Sequence, residues 1–77
     1  MSWRPPKRLP ILDKWVEVRQ VSSEELKDVV ADNDGALGAW DHDTLTIYLL
    51  KTLPSSKKQR TYYHEMLHCL IDLFLDP

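Results

Sequence analysis

Three segments of the chain have the apolar and polar pattern of short β-strands. Residues 15–21 and 45–50 alternate between apolar and polar positions, as expected for strands with one buried face. The buried faces are predicted to carry Val16 and Val18 in the first of these strands, and Leu45, Ile47 and Leu49 in the second. Residues 36–40 suit another strand and residues 41–44 a tight turn, so a β-hairpin is expected there.

A short helix is predicted between the first strand and the hairpin. Ser22 and Glu25 have the spacing of a capping box, in which the two side chains satisfy free amides at a helix N-terminus. The apolar stripe of this helix would comprise Leu26, Val29 and Val30. Residues 32–35, with the sequence Asp-Asn-Asp-Gly, favour a turn that ends the helix.

A longer helix is predicted over residues 55–75, which contain neither glycine nor proline. Apolar residues recur there at spacings of three and four, as on one face of a helix. This stripe comprises Tyr63, Met66, Leu67, Leu70, Ile71 and Phe74. Ser56 with Gln59 is expected to cap the N-terminus, just after Pro54.

The predicted order of elements is β-α-β-β-α, which corresponds to an α+β fold with a small antiparallel or mixed sheet packed on the C-terminal helix. Residues 1–10 contain three prolines and no clear period, so they are expected to form an extended N-terminal lead-in. Residues 11–77 would form a single domain. A chain of 77 residues has room for one small core, which a bound metal ion would stabilise further.

The composition argues against membrane insertion and export. The longest apolar run is far shorter than the ~20 residues that cross a bilayer, and the N-terminus lacks the apolar segment of a signal peptide. Cys69 is the only cysteine, so an internal disulfide is excluded and a cytoplasmic location is expected. On the last helix Cys69 is expected to be a small buried apolar residue.

The net charge of −2 is unevenly distributed along the chain. Residues 1–20 carry five basic and two acidic side chains, whereas residues 21–50 carry one basic and seven acidic side chains. The basic residues near the N-terminus are expected to be solvated on an extended tail. No nucleic-acid partner is therefore expected.

The most specific chemical signal lies in the last predicted helix, where His64, Glu65 and His68 fit the H-E-x-x-H motif of zinc-dependent hydrolases. Residues four apart on an α-helix are rotated by about 400° and so lie one turn apart on nearly the same face. The two imidazoles are therefore expected to bind one Zn²⁺ ion. Glu65 is expected to lie beside that ion.

This arrangement predicts hydrolysis by a zinc-activated water molecule. A catalytic zinc ion has three protein ligands and one open position, and it lowers the pKa of the water bound there. Glu65 would act as general base, accepting the water proton and passing it to the leaving amine. The alternative is that Glu65 is a solvated acid and that the histidines are polar positions on an amphipathic helix.

The third zinc ligand is not determined by the sequence. Asp72 continues the series at i+8 from His64 and is a candidate. Its alternatives are to accept a hydrogen bond from the ring of His68 or to be exposed to solvent. A second copy of the chain is another source of a ligand, as are the polar residues of the hairpin turn and of the C-terminus, namely Asp41, His42, Asp43 and Asp76.

With these residues the chain resembles the small zincin metallopeptidases of bacteriophages and bacteria, near the ImmA/IrrE and SprT-like families. The similar part covers about residues 15–73. It includes Gly-Ala-Trp-Asp at 38–41, Thr-Leu-Thr-Ile-Tyr-Leu at 44–49, and Lys-Lys-Gln-Arg-Thr at 57–61 before the H-E-x-x-H motif. Only that last motif is specific to the family.

The resemblance implies a minimal zincin-like domain, with a β-hairpin over the active-site helix and zinc on both histidines. It also implies that Glu65 is the catalytic base and that the third predicted strand holds the substrate. In this family an acidic third ligand usually follows on a further helix, downstream of the matched residues.

The leading hypothesis is a zinc metallopeptidase in the cytoplasm of a bacterium or of a phage-infected cell. If the third predicted strand is a sheet edge, Thr46 and Tyr48 are expected to bind an extended peptide or protein substrate. A dimer is expected if the third ligand comes from another chain. The alternatives are a catalytically inactive, zinc-stabilised binding module and a metal-free interaction protein. Coordination of zinc by four protein ligands would favour the zinc-stabilised module. Stability that does not change when a chelator is added would favour the metal-free protein.

Overall fold

The chain folds into four strands and two helices over the residues that the structure describes, 3–30 and 37–75 of this computed structural model. The elements in order are β1 (Arg8–Ile11), β2 (Lys14–Val21), α1 (Ser23–Val29), β3 (Gly38–Asp41), β4 (Thr46–Leu50) and α2 (Ser55–Leu75). The predicted α+β class is confirmed, and α2 packs on the sheet as expected.

The four strands form one mixed sheet in the order β1-β2-β4-β3. The pairs β1–β2 and β3–β4 are antiparallel, whereas β2 and β4 are parallel. The chain therefore passes through α1 and the edge strand β3 before it returns to the centre of the sheet as β4. The predicted hairpin is confirmed, with Trp40 of β3 paired to Ile47 of β4.

The strand β1 is an addition to the predicted order. Leu9 pairs with Val16, and Ile11 is buried in the core. The last three residues of the predicted extended lead-in, 8–10, therefore belong to the sheet. Pro10 hides this strand in the sequence, and it is tolerated because β1 lies at an edge.

The main core lies between the sheet and α2. Its buried side chains are Ile11, Val16, Val18, Ile47, Leu49, Tyr62 and Cys69. Burial of each large aliphatic residue in this set contributes roughly 1.5–3 kcal/mol. The predicted burial of Val16, Val18 and Cys69 is confirmed. Trp3 packs on Tyr62 with ring centroids 5.3 Å apart, which anchors the segment that precedes β1.

The helix α1 begins with the predicted cap. The Ser22 hydroxyl accepts a hydrogen bond from the Glu25 amide at 3.2 Å. The Glu25 carboxylate accepts from the same hydroxyl at 3.4 Å instead of from a backbone amide, so the capping box forms only in part. The predicted turn at 32–35 lies outside the described residues.

A second, smaller core lies on the α1 side of the sheet. Leu26 is buried there with Val21 and Ala39, and Val30 packs against them. Val29 was expected in the same apolar stripe, but it is exposed. The helix is too short to bury a whole face, because it spans only seven residues.

The strand β4 begins one residue later than predicted. Leu45 has a φ of 52° and belongs to the turn, so its predicted place on the buried face of the strand is wrong. Thr46 is the first residue of the strand and is buried, and its hydroxyl donates to the Thr44 carbonyl at 3.1 Å. Ile47 and Leu49 are fully buried, as predicted.

The helix α2 begins at Ser55, so Ser56 lies inside the first turn and is not the N-cap that the sequence suggested. The amide of Lys58 donates to the Pro54 carbonyl at 2.8 Å, which closes that first turn. Neither described helix combines the length and the apolar character needed to cross a membrane.

The predicted apolar stripe of α2 is divided between two faces. Tyr62 and Cys69 are buried, and Met66, Leu70 and Leu73 pack against the core. The other apolar residues are exposed, namely Tyr63, Leu67, Ile71, Phe74 and Leu75. Apolar residues cover more than half of the circumference of this helix, so their period alone does not identify the side that faces the sheet.

Candidate metal and catalytic site

His64 and His68 lie one turn apart on the exposed side of α2, and their rings converge. The two Nε2 atoms are 3.1 Å apart, and the ring centroids are 4.7 Å apart at an interplanar angle of 79°. This distance suits a hydrogen bond between the rings. It also suits a shared zinc ion, because zinc–nitrogen bonds of about 2.0–2.1 Å would then enclose an angle of about 95–102°. The pair therefore fits two positions of a distorted tetrahedron.

Glu65 is half-buried between α2 and the edge strand β3. Burial raises the pKa of its carboxyl group above the ordinary value, and this effect outweighs the opposite influence of His64 and His68. A carboxylate with a raised pKa accepts a proton more readily near neutral pH. The shift of the Glu65 pKa is thus in the direction that a general base requires.

Gly38 permits the close approach of α2 and β3. A Cβ atom at this position would lie 2.8 Å from Thr61 Cγ2 and 2.8 Å from the Tyr48 carbonyl oxygen. The same atom would lie 3.3 Å from Glu65 Cγ. Any larger residue would therefore push the helix away from the strand, and Gly38 sets the distance between Glu65 and the sheet.

An open groove of about 670 Å³ runs between α2 and the hairpin. Its polar lining includes His64, Glu65 and His68 from the helix, and Asp41, His42 and Asp43 from the hairpin. A neighbouring depression of about 570 Å³ continues from His68 to Ile71 and Leu75. The structure thus brings the hairpin-turn candidates and the H-E-x-x-H residues to one groove.

Asp72 is bound by residues of the hairpin. Its Oδ2 atom accepts from Trp40 Nε1 at 2.9 Å and lies 2.5 Å from His42 Nδ1. These two hydrogen bonds hold the pKa of the Asp72 carboxyl below its ordinary value, and the one from Trp40 has the larger effect. The partners of Asp72 are thus residues of the hairpin, and the ring of His68, one of the alternatives considered from the sequence, is not among them.

The state of His42 follows from that of Asp72. An ionised carboxylate only accepts hydrogen bonds, so Nδ1 of His42 must carry the proton that it shares with Asp72. The other ring nitrogen, Nε2, is then left for a different partner. The His42 side chain is 59% exposed and lines the groove, so that nitrogen is accessible to a ligand.

The described residues offer two neighbouring candidate ligands, His64 and His68, and no third. Within 3–30 and 37–75, no group of three or more His, Cys, Asp or Glu side chains has the arrangement of a metal site. Cys69 faces the core, and burial followed by the charge of Asp72 raises the pKa of its thiol to about 11. Asp76 lies outside the described residues. The histidine pair therefore fits half of a tetrahedral donor set.

The residues predicted to hold the substrate do not line the groove. The predicted substrate contact depends on β4 being a sheet edge, whereas β4 lies between β2 and β3. Thr46 is buried, and Tyr48 packs in the smaller core on the side of α1. Both residues are therefore unsuited to substrate contact. The edge strand beside the histidines is β3.

Gly38 and Trp40 both shape the groove, but only the role of Gly38 can be inferred from the sequence. A glycine inside a strand signals close backbone approach, and that signal is visible in the sequence at Gly38. The hydrogen bond from Trp40 to Asp72 joins residues 32 positions apart, and it has no local signature.

Comparison with protein-family models, with curated proteins and with solved structures found no match to this chain. The function must therefore be inferred from the side chains of the groove themselves.

Proposed function

We propose that the chain is a zinc-dependent peptidase in which His64 and His68 bind the metal ion and Glu65 is the general base. The observation that carries this proposal is the convergence of the two Nε2 atoms, 3.1 Å apart, beside a half-buried carboxylate in an open groove. A zinc ion bound there would act as a Lewis acid toward water and the scissile carbonyl.

Proton transfer falls to Glu65 in this proposal. Its carboxylate takes a proton from the attacking water and donates it to the nitrogen of the leaving amine. Burial between α2 and β3 raises the pKa of the carboxyl group, which favours the first of these steps. The packing around Gly38 restricts the side chain, because Glu65 Cγ lies within contact distance of that position.

An extended peptide is the substrate class that fits the groove. Strand β3 ends the sheet, so one side of its backbone has no partner among the described strands. A peptide bound to that side by main-chain hydrogen bonds would add a strand to the sheet. His64, Glu65 and His68 line the groove alongside β3, so such a peptide would pass in front of them.

His42 is the additional residue that we assign to substrate contact. Asp72 holds Nδ1 of its ring, and Trp40 in turn holds the carboxylate of Asp72. A ring oriented in this way retains Nε2 for a hydrogen bond to the substrate. A neutral ring with its proton on Nδ1 presents Nε2 as an acceptor, which suits an N–H group of the bound peptide.

The proposal is tested by hydrolysis of fluorescently labelled casein with the zinc-loaded chain. Glu65→Gln should lower kcat by at least about 100-fold, because it removes the base without removing a ligand. Glu24→Gln is the matched control, since Glu24 lies in the first turn of α1, away from the groove. A loaded parent that leaves casein intact, or a Glu65→Gln variant as active as the parent, would contradict the proposal.

A zinc-stabilised binding module is the second candidate, and the absence of a third ligand in the described parts of the chain favours it. Its other ligands would then come from a bound partner. A chelator would lower the thermal midpoint of the complex in this case, and neither parent nor Glu65→Gln would cleave casein.

A further inference from the structure

The helix α2 carries an exposed apolar stripe on the side away from the sheet. It consists of Tyr63, Leu67, Ile71, Phe74 and Leu75. The first four are 48–57% exposed and Leu75 is 75% exposed. Spacings of three and four place them in one row along the helix. Single exposed apolar residues are ordinary, whereas a contiguous row of five marks an interaction surface.

The size of this stripe matches one half of a small protein interface. Aromatic side chains bury about 150–250 Å² each and the aliphatic ones less, so these half-exposed residues leave on the order of 500 Å² accessible on the stripe. Two such stripes in full contact would bury at most about 1,000 Å², which is the lower limit for a specific association.

We propose that two copies of the chain associate through this stripe, with their α2 helices antiparallel about a two-fold axis near position 69. This arrangement sets Leu67 of each copy opposite Ile71 of the other, and Tyr63 opposite Leu75. Apolar residues of one stripe then meet apolar residues of the other. The stripe is thus complementary to itself under the two-fold symmetry that dimers use.

The charges beside the stripe favour a second copy over a membrane surface. The basic residues of α2 are Lys57, Lys58 and Arg60, all before the stripe begins at Tyr63. Helices that lie on anionic lipid carry basic residues along the whole apolar face, and residues 61–75 contain no lysine or arginine. The stripe itself contains no charged side chain, so two copies meet without repulsion between like charges. The acidic residues of this segment, Glu65 and Asp72, are bound or half-buried on the side of the hairpin.

The dimer would also shape the groove. Ile71 and Leu75 belong to the stripe, and they line the depression that contains His68. The second copy would therefore form a wall beside the histidine pair. The association rests on apolar contact and is independent of the proposed peptidase function.

Sedimentation equilibrium of the full chain, with and without a chelator, tests the proposal. The parent should be a dimer at micromolar concentration in both conditions, and Leu67→Glu should weaken association by at least about tenfold. Leu12→Glu is the matched control, because Leu12 is 61% exposed and Leu67 is 57% exposed. Circular dichroism should show that both variants remain folded, since neither side chain is in the core.

Disulfide cross-linking tests the antiparallel arrangement. A mixture of Leu67→Cys and Ile71→Cys chains should cross-link, whereas Tyr63→Cys should not cross-link to itself. Two copies of position 63 would be about 18 Å apart along antiparallel helices, beyond the ~7 Å limit of a disulfide. The native Cys69 is buried and should not react.

Three results would overturn the proposal. The first is a parent that stays monomeric at micromolar concentration, whether or not it binds anionic vesicles through the stripe. The second is a Leu67→Glu variant that dimerises as well as the parent. The third is efficient cross-linking of Tyr63→Cys to itself, which would require parallel helices.

Discussion

Replacement of Gly38 by alanine tests the close contact between α2 and the edge strand, on which the groove depends. The added Cβ would lie 2.8 Å from Thr61 Cγ2, 2.8 Å from the Tyr48 carbonyl oxygen and 3.3 Å from Glu65 Cγ. Carbon atoms pack at about 3.5–4.0 Å, so the helix or the strand must move by roughly 0.7 Å or more. Strand β4 is held on both sides by ladder bonds, so we expect α2 to move.

The expected loss of stability follows from this overlap. Adding a methyl group to a packed site costs about 1–3 kcal/mol, and alanine recovers about 0.4–1 kcal/mol by restricting the unfolded chain. The net loss is therefore about 1–2 kcal/mol. For a domain of this size each kcal/mol shifts the thermal midpoint by about 4–8 °C, so Tm should fall by roughly 4–16 °C.

Thermal unfolding followed by circular dichroism measures this loss, and Thr61→Ser provides a matched partner variant. Serine removes only the Cγ2 methyl group and keeps the hydroxyl that donates to the Lys57 carbonyl at 2.8 Å. Gly38→Ala should therefore cost less stability in the Thr61→Ser background than in the parent. A Gly38→Ala variant as stable as the parent, or one not improved by Thr61→Ser, would refute the reasoning.

Three other predictions concern titration and strain. The Cys69 thiol has its pKa raised by burial from 9.0 to about 11, so the folded chain holds this proton more tightly than the unfolded chain does. The contribution of the protonated Cys69 thiol to the free energy of unfolding is fully present below pH 9, and it should fall by about 2–3 kcal/mol as the pH rises to 11. The difference between urea unfolding curves of the parent and Cys69→Ala measures this effect, and parallel pH profiles would disprove it. Asp72 has a lowered pKa, so its contribution to stability is present above its ordinary pKa of 3.8 and is lost as the pH falls through the lower folded value. Trp40→Phe removes the hydrogen bond that contributes most to this lowered pKa, and it should raise the pKa of Asp72 in a carboxyl NMR titration. An unchanged pKa would show that the hydrogen bond does not form in solution. Leu12 is exposed and has a φ of 58°, a conformation that costs L-residues about 1–2 kcal/mol. Leu12→Gly should therefore raise the free energy of unfolding by about 0.5–1 kcal/mol in urea titrations, and a decrease would count against strain at this turn.

Features set by local spacing could be predicted from the sequence. The alternation of Val16 and Val18 determines which face of β2 is buried, because successive residues of a strand point to opposite sides. The convergence of His64 and His68 likewise follows from the geometry of a single helix. The Ser22 cap depends only on residues three positions apart.

Features set by contacts between distant segments could not be predicted. The parallel pairing of β2 with β4 places β4 inside the sheet, and nothing within residues 45–50 indicates which neighbours the strand has. Pro10 argues against a strand locally, yet β1 forms because an edge strand needs no amide at that position. Asp72 could be placed relative to the histidines on α2, but its bond to Trp40 depends on how the hairpin docks.

The central claim is that His64 and His68 bind one metal ion together. Calorimetric titration of zinc into the chelator-treated full chain tests it most directly, with His68→Ala and Glu65→Gln compared under the same conditions. We expect one zinc ion per chain in the parent and in Glu65→Gln, and binding weakened by at least about tenfold in His68→Ala. A parent that binds no zinc, or a His68→Ala variant that binds it as tightly as the parent, would contradict the claim.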